Sequence, residues 1–179
     1  MRADYVPARA MAHIFAALMP QNRLALQVSE ATGLRIGDVL SIKTAKLTPR
    51  MTVRESKTQK SKRIYLPMGL YAEMLQHAGK IWVFEGRLTA KKHRTRQAVF
   101  KDLRRTARLF RLDGRKIAEH VSPHTARKIY AVEELKKYGG NVKRVQQLLN
   151  HSDEAVTMLY AMADQLTAQK LHKRCIHEK

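Results

Sequence analysis

His124 and Arg127 stand three residues apart just after Ser122-Pro123, so they share one face of any helix that begins there. A histidine in a first turn sits badly with the positive end of the helix dipole. It becomes sensible where an anion is held, because first-turn N–H groups and nearby cations bind phosphate together. His151 follows further along, directly before Ser152, a capping residue type, and Tyr160 lies beyond it on a short helical stretch. Two histidines, an arginine and a tyrosine are the parts for phosphoryl transfer to a phenol. A free phenol, with a pKa of about 10, is a poor nucleophile at neutral pH. Nearby cations and a proton acceptor must therefore favour its phenolate. In-line displacement also builds negative charge on the equatorial phosphate oxygens, where preorganised cations help most. Each residue has a plainer reading as well: a half-buried helix tyrosine, a surface ion-paired arginine, two structural histidines.

The elements that must position these groups are mostly helices. Met11, Ile14, Phe15 and Leu18 recur at helical spacing over 7–19. Asn22 is the expected cap of a second helix carrying Leu24, Val28 and Ala31, which Gly33 ends. A short helix with Ile36, Val39 and Leu40 inward follows. Over 51–66 the period becomes two: Met51, Val53 and Glu55 alternate with Thr52 and Arg54, then Ile64 and Leu66 with Arg63 and Tyr65. That is a β-hairpin whose loop, near Ser56–Ser61, lacks glycine and is expected to be long and mobile. A helix over 68–79 comes next, and Ile81–Phe84 reads equally as strand or loop. Residues 95–111 form a two-faced helix, with Val99, Leu103, Thr106 and Phe110 opposite Lys101, Arg104, Arg105, Arg108 and Arg111. Ser122 caps a helix with Pro123 at its first position, running to about Tyr138 and closed by Gly139-Gly140. Asn141 and Ser152 cap two more, and a basic amphipathic segment covers about 165–176. The fold class is mainly α with one small antiparallel β-sheet (α+β).

Composition narrows the partner. The chain has 179 residues, with 35 Lys+Arg against 15 Asp+Glu, a formal charge of +20. Its 44% apolar content suits a folded domain rather than a basic disordered tail. Cys175 is the only cysteine, so a disulfide scaffold is excluded. No apolar run reaches the ~20 residues that span a bilayer, and the start lacks a signal-peptide pattern. These features point to a soluble intracellular, cytoplasmic domain without membrane partners, whose polyanionic partner is nucleic acid before any other class. The charge is concentrated. Residues 43–63 carry eight bases against Glu55 alone, and residues 86–116 carry twelve against Asp102 and Asp113. Two basic blocks around a nearly neutral stretch suit a domain gripping a phosphate backbone from two sides. Solvated basic loops are the plainer alternative.

Four stretches resemble boxes of the tyrosine recombinases, the phage-integrase family of site-specific DNA recombinases. Ala31-Thr-Gly-Leu-Arg35-Ile-Gly-Asp38-Val-Leu resembles the first, which ends a helix and presents an arginine. Glu55-Ser-Lys57-Thr-Gln-Lys-Ser-Lys-Arg-Ile64-Tyr-Leu-Pro67 resembles the hairpin with its lysine. Ser122-Pro-His124-Thr-Ala-Arg127 resembles the His-x-x-Arg box, and Gln147-Leu-Leu-Asn-His151-Ser with Tyr160 resembles the closing box. One box is weak; four in order over about 5–163, on a basic chain, are specific.

The resemblance implies the DNA breaking-rejoining catalytic fold and a role for each matching residue. Tyr160 attacks a backbone phosphorus and forms a 3′-phosphotyrosyl bond, freeing a 5′-hydroxyl. Arg35 and Arg127 clamp the non-bridging oxygens, Lys57 protonates the leaving oxygen, and His124 and His151 hold the phosphate and assist proton movement. Lys60 and Lys62 compete with Lys57 for the acid role. Two guanidiniums with planar donor pairs can take the place of metal ions, so neither a metal nor any other cofactor is expected. Rejoining conserves the phosphodiester energy. Asp38 is expected to orient or pair with basic neighbours.

Double-stranded DNA is the expected partner, contacted by Lys60, Lys62, Arg94, Arg96, Lys101, Arg104, Arg105 and Arg108, with some of the arginines reading guanine edges. The resemblance further implies a homotetramer on DNA, a monomer when free, and segment 165–179 packing on a neighbouring subunit. The whole of 1–179 reads as a single catalytic domain without an N-terminal core-binding domain, so an accessory DNA-binding protein is a possible partner. Two positions depart from the pattern: Lys128 stands where histidine is frequent, and Asn150 replaces a glycine, though asparagine tolerates the left-handed turn. The runner-up function is a non-catalytic DNA-binding regulator on the same fold; a relaxing topoisomerase of the same chemistry ranks third.

Overall fold

The computed structural model describes residues 6–112, 115–116 and 120–150. His151, Tyr160 and the 165–179 segment lie outside the described residues. Helices dominate: α1 (Ala8–Ala16), α2 (Pro20–Thr32), α3 (Ile36–Leu40), α4 (Met68–His77), α5 (Arg96–Ala107), α6 (Pro123–Lys137) and α7 (Val142–Leu148). Strands β1 (Arg50–Arg54) and β2 (Ser61–Tyr65) pair antiparallel, with Met51 opposite Ile64 and Val53 opposite Lys62. The sequence reading missed a second pair, β3 (Arg111–Leu112) with β4 (Arg115–Lys116). None of the described helices is long and apolar enough to cross a membrane.

The chain divides into two compact units, residues 1–130 and 131–179, with the boundary inside α6. In the first unit, Met11 and Ile14 of α1, Leu24 and Val28 of α2, Val39 of α3, Ile64 of β2, Met74 of α4 and Val99 and Leu103 of α5 belong to one apolar cluster with Phe84. The spacing of these residues along each helix explains why one face of each is apolar. The segment around Ile81–Phe84 forms a bend, a single bridge residue and a turn rather than a strand. Lys43 and Trp82 make a single antiparallel bridge, and the Val83 N–H donates to the Ile42 carbonyl at 3.0 Å.

In the second unit, the end of α6 turns through Gly139 and Gly140, both at positive φ. The Gly140 N–H reaches the Leu135 carbonyl at 2.7 Å and that of Gly139 the Lys136 carbonyl at 3.2 Å, the paired bonds of a glycine helix stop. The Asn141 side chain caps α7 by accepting the Arg144 N–H at 3.0 Å, as its sequence position predicts.

Three local expectations change. Helix α2 begins at Pro20 with Met19 as its flanking residue, so Asn22 is not a cap. Asn22 is instead buried, donating to Asp102 at 2.7 Å and accepting from Arg94 Nε at 2.7 Å. Helix α5, capped at its start by Thr95, stops at Ala107 rather than running to Arg111, and the chain beyond Arg108 turns into β3. The hairpin loop is not free. The Gln59 N–H donates to the Glu55 carbonyl and the Glu55 N–H to that of Lys60, while Gln59 takes the left-handed position at φ 57°.

Candidate phosphate-binding active site

Helix α2 ends on Gly33, whose φ of 66° is left-handed. A Cβ there would lie 2.4 Å from the Tyr130 ring, so glycine is required by both the turn and the close approach of α6. The turn is braced further: Ser29 Oγ donates to the Leu34 carbonyl at 2.7 Å, and Thr32 Oγ1 accepts the Leu34 N–H at 3.3 Å. The chain then turns out at Arg35, the extended residue before α3. The side chain of Arg35 is thereby held at a rigid corner.

From the hairpin comes Glu55, whose side chain is 0% exposed. Arg35 Nη1 donates to its Oε2 at 2.9 Å, and Arg127 Nη1 stands 3.6 Å from its Oε1. Arg127 also donates to the Gly33 carbonyl, 94 positions away in sequence. Thr58 Oγ1 donates to Glu55 Oε2 at 2.8 Å. Burial alone pushes the Glu55 carboxyl upward. The Thr58 hydrogen bond and the fields of Arg127 and Arg35 outweigh it and hold the group below its ordinary range. The two arginines of the first and third boxes therefore share one ionised carboxylate.

His124 lies one turn before Arg127, at the exposed start of α6, with its N–H on Ser122 Oγ at 3.2 Å. The serine cap and first-position proline are as the sequence predicts. The imidazole's pKa is lowered, first by desolvation and then by Arg127, Arg35, Lys128 and Lys57. Residues from three separate stretches of chain, Arg35, Lys57 and the adjacent Arg127 and Lys128, direct positive field at one ring. Lys57 itself is exposed on the hairpin loop. The loop is anchored just before it, where the buried Asp38 carboxylate accepts the Ser56 N–H at 2.9 Å and the Ser56 hydroxyl at 2.7 Å. Asp38 thus braces the lysine loop rather than pairing with a basic residue through these bonds.

The expected DNA contacts separate into two groups. Lys60, Arg96, Lys101, Arg104, Arg105 and Arg108 are exposed. Lys62 is not: it is 8% exposed, and its Nζ donates to the Thr32 carbonyl at 2.7 Å and sits 5.0 Å from the centre of the Tyr130 ring. Its inward register beside Ile64 removes it from the surface and makes it a strut for the α2 turn. Arg94 is partly buried on Asn22, within a network in which Asp102 accepts from the Met19 N–H, Asn22 and Arg105. Arg105 remains 72% exposed despite that ion pair. Among the described residues, no three His, Cys, Asp or Glu side chains gather as a metal site. Asn150 does take the left-handed conformation, at φ 50°.

Glu55 was the site residue the sequence reading left unassigned. Its signal was there: it falls on the inward period of Met51 and Val53, where a carboxylate among eight bases demands a partner.

Two arginines on one buried carboxylate, a histidine among cations and a braced basic hairpin form a candidate anion site on an α+β fold. The phage integrase family matches residues 6–166, and the chain belongs to that family. The tyrosine recombinase XerD of Pseudomonas putida is 28% identical over 87% of this chain and 54% of its own length. XerC of Bacillus pumilus is 30% identical over 85% of this chain and 52% of its own. The chain thus spans about half the length of the curated relatives it matches. Among solved structures, a lambda integrase dimer bound to a COC′ core site superimposes with a TM-score of 0.70 at 18% identity, over 89% of this chain and 59% of that one. The catalytic domain of bacteriophage HP1 integrase does so with 0.60 at 20% identity, over 90% and 89%. The fold is that of the tyrosine recombinase catalytic domain.

Proposed function

We propose that this chain is the catalytic part of a site-specific DNA recombinase, cleaving and rejoining strands through a 3′-phosphotyrosyl intermediate. The observation that carries the reading is the meeting of Arg35 and Arg127 on one buried carboxylate, with His124 in the fields of both and of Lys57. The two guanidiniums bind the non-bridging oxygens of a backbone phosphate and neutralise the charge that builds there. The Tyr160 hydroxyl passes its proton to a histidine of the site as its oxygen attacks phosphorus, forming the Tyr–O–P bond as the P–O5′ bond breaks. Lys57 delivers a proton to the departing 5′-oxygen. His124, held neutral by its surroundings, donates or accepts a hydrogen bond at the phosphate, and His151 assists from the closing box. Rejoining runs the same steps in reverse, and no step uses a metal. The exposed bases of α5 and Lys60 hold the duplex backbone. Relatives of this family in complex with DNA support double-stranded DNA as substrate. A tetramer on DNA, with residues 165–179 exchanged between subunits, completes the proposal, as does residence on the nucleoid.

The test is covalent capture. The protein is incubated with a pool of nicked duplexes carrying randomised half-sites, in EDTA, and adducts are isolated under denaturing conditions. Wild type yields a protein–DNA adduct and Tyr160→Phe does not. No adduct with wild type, alongside salt-sensitive duplex binding, would leave a DNA-binding module without catalysis.

A further inference from the structure

Most ionised carboxylates in a phosphate-binding site are liabilities, because they repel the substrate. Glu55 is the exception that its burial explains. Its side chain is fully covered, whereas that of Arg35 retains 18% exposure. The carboxylate therefore lies beneath the Arg35 guanidinium, on the protein side, beside the Arg127 side chain, which is itself only 3% exposed. Arg35 Nη1 donates to Glu55, and Arg127 Nη1 donates to the Gly33 carbonyl while standing 3.6 Å from Glu55 Oε1. A guanidinium has five N–H donors in a fixed plane, so fixing one edge orients the other. Two unscreened guanidiniums this close would also repel each other, and a shared counter-charge removes that penalty. Among the described residues, Glu55 Oε1 has no hydrogen-bond donor and only the 3.6 Å ion pair with Arg127, which leaves it able to follow that arginine.

We infer that Glu55 is the positioning residue of the arginine pair, an internal counter-ion that presets both guanidiniums to meet a phosphodiester. This inference rests on the recombinase reading for its consequence in catalysis, but not for the clamp itself. Removing the charge with the shape retained should leave affinity for anionic DNA intact or improved, since one negative charge is gone. It should slow the chemical step, since the donors are no longer aimed. A residue that only stabilised the fold would produce neither the opposed signs nor a slower step in folded protein.

The experiment uses the full 179-residue chain and two readouts. The first is guanidinium NMR without DNA: in wild type the Arg35 and Arg127 side-chain signals show restricted rotation, and in Glu55→Gln they average. The second is adduct formation at saturating nicked duplex, taken from the captured pool, at a temperature where each variant is folded. Glu55→Gln is expected to form adduct about 10–100-fold more slowly while binding the duplex within about threefold of wild type or more tightly, a split between kcat and KM behaviour. Should Glu55→Gln fail to fold, Thr58→Val removes only the hydroxyl on Oε2. It is expected to slow adduct formation severalfold and to move the acid limb of its pH profile upward. Equal arginine rotation in wild type and variants, or an unchanged saturated rate, would overturn the inference. An absent wild-type adduct would instead remove the recombinase reading, with the NMR comparison still deciding the clamp.

Discussion

The bond between Asp38 and Ser56 ties the first arginine box to the lysine loop, and its strength can be worked from the structure. Asp38 is 1% exposed and accepts both the N–H and the hydroxyl of Ser56. Hydrogen bonds to a charged group contribute about 1.5–3 kcal/mol each. Ser56→Ala deletes only the hydroxyl bond and should cost about 1.5 kcal/mol. Asp38→Ala deletes both bonds and should cost about 3 kcal/mol, or ~6–12 °C in Tm for a chain of this size. Once Asp38 is gone, the Ser56 hydroxyl has lost its acceptor, so adding Ser56→Ala should cost nearly nothing. A double-mutant cycle read by urea unfolding at constant slope should therefore return a coupling of about 1.5 kcal/mol. Both single variants should also slow adduct formation, because Lys57 follows Ser56 directly. Costs that simply add, within about 0.5 kcal/mol, would refute the claim that Asp38 anchors this loop.

The two lysines flanking Ser61 should behave oppositely: Lys60→Ala lowers the salt slope of duplex binding by about 0.9, whereas Lys62→Met leaves it unchanged and lowers stability by about 1.5–3 kcal/mol, as salt titrations and urea melts would show. Asp102→Ala strips the acceptor from Met19, Asn22 and Arg105 and should cost about 3 kcal/mol in a thermal melt, with little change in the rate of adduct formation by the folded protein. His124 has a folded pKa below its ordinary 6.5, so the unfolded chain takes up the proton first; the group is neutral in its effect above that pH and turns against the fold as pH falls through 6.5. His124→Gln should remove that acid-side loss in melts between pH 7 and 5.5, and NMR titration should show the wild-type imidazole pKa rising when duplex binds.

Much of the frame was legible in the sequence because it is local. Gly33 and Gly139-Gly140 as helix stops, Pro123 at a helix start, Asn141 as a cap and the period-two hairpin depend only on near neighbours. The convergence of Arg35, Lys57, His124 and Arg127 was reached through motif order, which stands in for the long-range folding that periodicity cannot show. What was missed is polar and distant. Asn22 looks like a cap until Asp102 and Arg94 are brought to it by the packing of α2 and α5. Lys62 counts as a surface charge in any tally, yet it shares the inward register of Ile64 and Leu66, and that register outranks its charge. The short β3–β4 pair left no alternation long enough to detect, and Arg111 was absorbed into the helical pattern before it.

The close approach of Tyr130 to Gly33 has a consequence for biosynthesis. While the ribosome has delivered only α1 to the hairpin, the turn before Arg35 lacks its aromatic lid, and Glu55 has one arginine instead of two. Only when α6 has emerged can both be satisfied, so a truncated nascent chain holds no competent pair.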